Sequence, residues 1–241
     1  MIPIRIEGLP TGFNFHFIME SLAFIVAFRV YWYQRKNYTD TISTLARLST
    51  ILGAMIGALI GSRLVGYLEV SSNLTSIDLR LLMYNKSIAG GFFGGILGVE
   101  LVKFILKIKS STGDVYVFPI LIGLIIGRTG CFLSGVDDGT IGLPTDSMLG
   151  MDLGDGIKRF PTALFELIFA FILLLFYIRI RNYPMPLGYR FMILMILYFM
   201  FRFFIEFLKP LYISYLGLNA VQCCCILVFI YYTFYLKYKP K

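Results

Sequence analysis

The chain has 241 residues, 58% of them hydrophobic and only 15% charged, and its mean hydropathy is +0.77. Soluble domains carry roughly 45–50% apolar residues, so this composition excludes an ordinary soluble globule. The formal net charge of +8 would suit nucleic acid, but the basic residues sit in short clusters between apolar runs. That is the signature of membrane topology, and no nucleic-acid partner is expected.

Seven stretches approach or reach the roughly 17–25 residues that a helix needs to cross a bilayer. In chain order they are 15–33, 45–68, 87–107, 115–134, 161–181, 189–208 and 217–236. The expected fold class is therefore all-α: a polytopic membrane protein with about seven transmembrane helices, forming a single integral-membrane domain over residues 1–241. The residues before the first span include Arg5 and Glu7. They lack the short apolar core and small-residue cleavage site of a removable signal peptide.

Arg35 and Lys36 follow span one, Lys107 and Lys109 span three, and Arg179 and Arg181 span five, while Lys237, Lys239 and Lys241 close the chain. With seven alternating spans, all of these fall on one side, and Lys/Arg-rich loops stay cytoplasmic. Glu69, Asp78, Asp137, Asp138, Asp146, Asp152 and Asp155 fall on the other. The expected topology has the N-terminus outside, the C-terminus cytoplasmic, and residues 135–160 as an extracytoplasmic loop between spans four and five.

Threaded this way, the intramembrane charges collect toward the outer leaflet: His16 and Glu20 in span one, Arg63 in span two, Arg128 at the end of span four, Glu166 at the start of span five, and Tyr198, Arg202 and Glu206 late in span six. Each has a structural explanation. His16 and Glu20 are four residues apart, as are Arg202 and Glu206, so each pair can satisfy itself along one helical face, and Arg63 can snorkel to the headgroups. Random snorkelling would populate both leaflets, however. An arginine at membrane depth costs roughly 2.5–3.5 kcal/mol on insertion scales, which makes function its default reading. Arginines gathered in one leaflet suit a phosphate-bearing ligand. A phospholipid is the simplest.

Glycines repeat at four-residue spacing on span two (Gly53, Gly57, Gly61) and span three (Gly90, Gly94, Gly98), which permits close helix packing. On span three the doubled Gly90-Gly91 and Gly94-Gly95 leave lipid access equally open. In the loop 135–160, glycine, aspartate and proline are turn chemistry. Asp137-Asp138-Gly139 is a plain turn or, less often, a base or metal site. Pro161 suits the first turn of span five. The adjacent Cys223, Cys224 and Cys225 read as small hydrophobes, and Cys131 as a packing residue. With one histidine and no CxxC pair, no metal-ligand spacing exists. Neither a metal nor a cofactor is expected.

The stretch Gly127-Arg128-Thr129-Gly130-Cys131-Phe132-Leu133-Ser134-Gly135, continuing to Gly139, resembles the signature of the prolipoprotein diacylglyceryl transferases of bacterial cytoplasmic membranes. Ser87-Ile88-Ala89-Gly90-Gly91 is similar to that family's His-Gly-Gly segment. Arg159-Phe160-Pro161-Thr162-Ala163-Leu164-Phe165-Glu166 resembles its Arg-His-Pro-x-Gln-Leu-Tyr-Glu run. Tyr198, Arg202-x-x-x-Glu206, Gly61-Ser62-Arg63-Leu64 and Gln222 also fit. The likeness runs in order along most of the chain.

The resemblance implies an enzyme of the bacterial cytoplasmic membrane, its site facing the outer leaflet. Its partners would be phosphatidylglycerol, drawn from the membrane lipid, and a prolipoprotein lipobox peptide. It would move diacylglyceryl onto the lipobox cysteine thiol. The catalytic candidates are Arg128, Arg202, Glu206 and His16. The substrate-binding candidates are Arg128, Arg63, Gly90, Gly91, Gly139, Glu166 and Tyr198.

The chain departs from the pattern at Ala89 and Phe160, where the family has histidines, and at Cys131, Ser134 and Val136, where it has Asn, Asn and Glu. His16 stands about where a family tyrosine lies. With Glu20 one turn away, it is the candidate replacement base, since histidine titrates near 6.5 when unperturbed. The alternative is a non-catalytic phospholipid-binding or transporter-like protein on the same scaffold. Transporters often show inverted repeats with spans interrupted near the midplane, and none is legible here.

Overall fold

A computed structural model describes residue 3 and residues 15–36, 42–71 and 76–238. Arg5, Glu7, Lys239 and Lys241 lie outside them. Among the described residues there are eight α-helices: α1 (Phe15–Lys36), α2 (Thr44–Val70), α3 (Leu79–Tyr84), α4 (Ile88–Ile105), α5 (Val117–Ser134), α6 (Thr162–Arg179), α7 (Tyr189–Ile205) and α8 (Ala220–Tyr238). All except α3 coincide with an expected span, and those seven are long and apolar enough to cross a membrane. The fold is all-α and polytopic. α3 is too short and too exposed to read as a span, and it escaped the sequence reading because that reading looked for long apolar runs.

The outward faces explain the composition. Phe24, Ile25 and Phe28 on α1, and Leu52, Leu59 and Ile60 on α2, are exposed. Helices that are apolar all round suit a solvent of lipid tails. The helices gather into two compact units.

The first unit comprises residues 1–39, 112–194 and 208–210. In it α5 packs against α1 and α6. Gly130 permits the approach, because a Cβ there would meet Met19 Cβ at 2.6 Å. α5 ends at Gly135, whose φ of 53° only glycine adopts without strain. A 3-10 turn, Gly135–Asp138, follows. The Asp114 carboxylate accepts hydrogen bonds from the backbone N–H groups of Gly188 (2.6 Å) and Phe191 (2.9 Å), which satisfies donors that the start of α7 would leave orphaned.

The loop 135–160 is more ordered than its composition predicts. It holds a hairpin, β1 (Met151–Asp152) antiparallel to β2 (Lys158–Arg159), with Met151 opposite Arg159 and Asp152 opposite Lys158. Asp152 Oδ1 accepts from the N–H of Gly154 and of Gly156, the local side-chain bonding that lets aspartate nucleate a turn. Backbone bonds from Val136 to Leu153, from Phe160 to Leu143 and from Leu143 to Leu208 hold the loop in place. Pro161 stands at the N-cap of α6 rather than in its first turn, a one-residue difference.

The second unit comprises residues 40–111, 195–207 and 211–241. Here α2 and α4 pack along their glycine stripes. A Cβ on Gly57 would strike the Gly94 carbonyl, one on Gly61 the Gly90 carbonyl, and one on Gly98 the Gly53 carbonyl. α8 packs on both helices. It begins in a reciprocal capping box, with Gln222 N–H donating to Asn219 Oδ1 (2.7 Å) and Asn219 N–H donating to Gln222 Oε1 (2.9 Å).

Candidate active site

The last turn of α5 places Arg128 and Cys131 on its buried face, three residues apart. The first turns of α6 bury Thr162, Ala163 and Glu166. Arg128 and Glu166 thereby meet, Nη2 to Oε2, at 2.6 Å, with both side chains almost wholly enclosed. The other oxygen of Glu166 accepts from Lys209 Nζ at 3.1 Å. Two cations thus share one carboxylate in a low-dielectric setting, where charge acts most strongly. Lys209 carried no signal in the sequence: it lies outside every motif, 43 residues from its partner.

On the other side of α5, the close approach at Gly130 sets the first turn of α1 beside Cys131. His16 Nδ1 lies 2.6 Å from Asp138 Oδ1 and 3.7 Å from Cys131 Sγ. The same sulfur is 3.7 Å from Arg128 Nη1. Thr140 Oγ1 donates to Asp138 Oδ2. The expected i, i+4 partner of His16 is only loosely engaged, with Glu20 Oε2 at 3.7 Å from Nε2. The dominant partner is Asp138, 122 positions along the chain by number, and the adjacent Asp137 is exposed. Cys131 is buried, as a packing residue would be, but its neighbours are an imidazole and a guanidinium. Gly139, at φ 71°, has open space where a Cβ would stand. Its glycine is required by the backbone turn.

In the second unit, Arg202 Nη2 and Glu206 Oε1 are 2.5 Å apart and buried, the pairing that their spacing predicts. Asn219 Nδ2 donates to Glu206 Oε2 at 2.8 Å, which links this pair to the cap of α8. Tyr198 is buried and packs edge-on against Phe92 at 4.9 Å. Arg63 donates to the Met83 carbonyl, and to that of Asn85 at 3.5 Å. It caps the carbonyl end of α3, a role neither lipid snorkelling nor phosphate binding anticipates. Gly90 is occupied by helix packing against Gly61 and Val65, whereas at Gly91 a Cβ would make only ordinary contacts, the nearest at 3.7 Å to Ser62.

A protein-family model described as prolipoprotein diacylglyceryl transferase matches residues 5–238, nearly the whole chain. The chain belongs to the prolipoprotein diacylglyceryl transferase family. Its relatives include proteins named phosphatidylglycerol–prolipoprotein diacylglyceryl transferase. That of Wolbachia pipientis subsp. Culex pipiens (strain wPip) is 30% identical over 220 residues, covering 84% of this chain and 82% of the relative. That of Ehrlichia ruminantium (strain Welgevonden) is 28% identical over 228 residues, covering 87% and 86%. That of Hydrogenovibrio crunogenus is 31% identical over 176 residues, 67% of this chain and 61% of that relative's length.

Membership sharpens the departures from the family pattern. Ala89 is fully buried, and Cys224 Sγ donates to its carbonyl at 3.9 Å. The alanine side chain itself offers no proton acceptor in place of the family histidine. The imidazole of this chain stands in the first unit, beside Cys131 and Asp138.

Proposed function

We propose that this chain transfers the diacylglyceryl group of phosphatidylglycerol to the thiol of a prolipoprotein lipobox cysteine. The sulfur forms a thioether with the glyceryl carbon, the bond from that carbon to its phosphate oxygen breaks, and glycerol phosphate leaves. The thiol proton passes to a base, because the thiolate is the nucleophile.

Family membership supports the reaction. The observation that carries the site is the meeting of Arg128 and Lys209 on the buried Glu166 carboxylate. Fixed positive charge aimed at a departing phosphate stabilises the transition state most where water is excluded. In this reading Arg128 takes the phosphate oxygens and Glu166 orients it. Arg202, held by Glu206, is a second phosphate-handling arginine, as the family pattern implies. Nδ1 of His16 faces Asp138, which leaves Nε2 as the proton acceptor and makes His16 the base in place of the missing family histidine. Gly91, Gly139 and Tyr198 are kept as substrate-binding candidates on the family pattern alone. Gly90 and Arg63 are assigned to packing and to the α3 cap instead.

The setting is a bacterial inner membrane, crossed several times. The clustering of Arg35, Lys36, Arg179 and Lys237 at helix ends supports an outside N-terminus, a cytoplasmic C-terminus, an extracytoplasmic loop 135–160 and a site facing the outer leaflet.

The test is to incubate purified protein in phosphatidylglycerol bilayers with a lipobox peptide and to follow the diacylglyceryl thioether by mass spectrometry. Product in wild type, abolished by Arg128→Ala in correctly inserted protein, is the expected result. Absence of product with phosphatidylglycerol binding retained would replace the transferase by a phospholipid-binding scaffold.

A further inference from the structure

Asp137-Asp138-Gly139 read as a metal site only as its less frequent meaning and no spaced ligand set accompanied it, but the fold brings together three ligand types from three segments. His16 of α1, Cys131 of α5 and Asp138 of the 3-10 turn each present one donor atom, and these atoms all lie within 4.8 Å of one another. We propose that they form a binding site for a thiophilic divalent cation of the zinc class.

One edge of the cluster already has the length such an ion needs, and a second requires a small movement. With Zn–N of about 2.0–2.1 Å and Zn–S of about 2.3 Å, the N···S edge of a tetrahedral site is about 3.6 Å; His16 Nδ1 and Cys131 Sγ are 3.7 Å apart. The corresponding N···O edge is about 3.3 Å, against 2.6 Å between His16 Nδ1 and Asp138 Oδ1. The carboxylate therefore retreats by well under 1 Å when a cation replaces the proton between them. The donor set of imidazole, thiolate and carboxylate is one that zinc accepts. A thiolate and a carboxylate together balance its two charges.

The surroundings are those of an outer coordination shell. Metal-bound histidines pass their second N–H to a carboxylate, and metal-bound carboxylates are themselves hydrogen-bonded. Glu20 lies 3.7 Å from Nε2 of His16, and Thr140 donates to the second oxygen of Asp138. Arg128, whose charge is met by Glu166 at 2.6 Å, lies 3.7 Å from the sulfur, within reach to donate to a thiolate. The Asp138 side chain is 6% exposed and that of His16 is 20% exposed, so the site is sheltered yet reachable. Three protein ligands leave one tetrahedral position for water.

A cation on Nδ1 puts the remaining imidazole proton on Nε2, so His16 no longer accepts one. Binding therefore switches off turnover. This consequence rests on the transferase reading, whereas the binding itself does not.

The experiment titrates cobalt(II) into full-length protein in phosphatidylglycerol nanodiscs and reads the near-ultraviolet thiolate-to-cobalt band. One equivalent should saturate the band, and zinc should bleach it by displacement. Cys131→Ser should abolish it and Cys224→Ser should keep it. Glu20→Gln should weaken zinc binding roughly ten- to hundredfold. X-ray absorption at the zinc edge of the wild type should give a single sulfur at about 2.3 Å, a readout that does not depend on a variant folding. No band at one equivalent, a band that survives Cys131→Ser, or a zinc shell without sulfur overturns the site. Zinc that binds at Cys131 without slowing thioether formation supports the site and removes His16 as the base.

Discussion

Asp138 holds His16 by Nδ1, at 2.6 Å, across a junction that the sequence gives no local means of foreseeing. A carboxylate on Nδ1 sets the tautomer, orients the ring and stabilises the imidazolium that forms when Nε2 takes a proton. This is the logic of a positioned general base. His16→Gln is expected to lower thioether formation about 10²–10⁴-fold, the usual contribution of such a base, with the phosphatidylglycerol KM little changed. Asp138→Asn keeps a hydrogen-bond acceptor but not the charge, so its loss should be smaller and confined to kcat. Steady-state kinetics with a lipobox peptide in lipid vesicles separates the two. A rise in lipid KM with kcat intact would make the pair a binding element.

Glu166 joins Arg128 to Lys209, and removing it leaves two cations facing each other in a buried setting. Breaking a buried pair by deleting one partner costs about 3–5 kcal/mol. Glu166→Ala should therefore lower the thermal unfolding midpoint in detergent sharply. Lys209→Ala, which leaves the 2.6 Å Arg128 pair intact, should lower it much less. Equal shifts would show that Arg128 and Lys209 bear equally on the carboxylate.

How far the sequence carried the reading depended on the range of the signal. The seven spans were legible because apolar length is a local property, and each boundary fell within a few residues of a helix end. Arg202 and Glu206 were legible as a pair because i, i+4 spacing is a property of one helix; the Asn219–Gln222 cap is just as local but went unread. The contacts of Arg63 went unforeseen because they are to the end of α3, which is too short to stand out. Lys209 carried no signal, and Cys131 and Asp138 were read only as a packing residue and as part of a turn that is less often a base or metal site. The contacts that bring them into the site, Cys131 and Asp138 to His16 and Lys209 to Glu166, span 43 residues or more, and nothing in one sequence links them before the helices pack.

At the hairpin turn, the Arg159 guanidinium donates to Asp155 and holds its carboxyl below the ordinary carboxylate value, helped by the Ile157 N–H. A carboxylate depressed in the folded state stabilises it above the ordinary aspartate value of about 3.9, and that contribution is lost as pH falls through the lowered one. The hairpin should therefore loosen on acidification below about pH 4. Hydrogen exchange at Ile157, corrected for intrinsic rates, should show the step. Asp155→Asn should remove it, and an unchanged profile in that variant would assign the step to another group.

The glycines of α4 separate two explanations that the sequence left equal. Gly94 lies against the Gly57 backbone, so a methyl group there must push α2 and α4 apart, whereas a methyl on Gly91 would meet Ser62 Cβ only at 3.7 Å. Overpacking a tight contact costs about 1–3 kcal/mol, so Gly94→Ala should reduce the unfolding midpoint and the yield of folded protein. Gly91→Ala should leave both near wild type. Its kinetics then become informative, because a fold that tolerates the methyl removes packing as the reason for glycine. A raised KM for phosphatidylglycerol with unchanged kcat would assign Gly91 to the lipid's approach. Unchanged KM would leave the whole stripe to helix packing and withdraw Gly91 from the substrate-binding set.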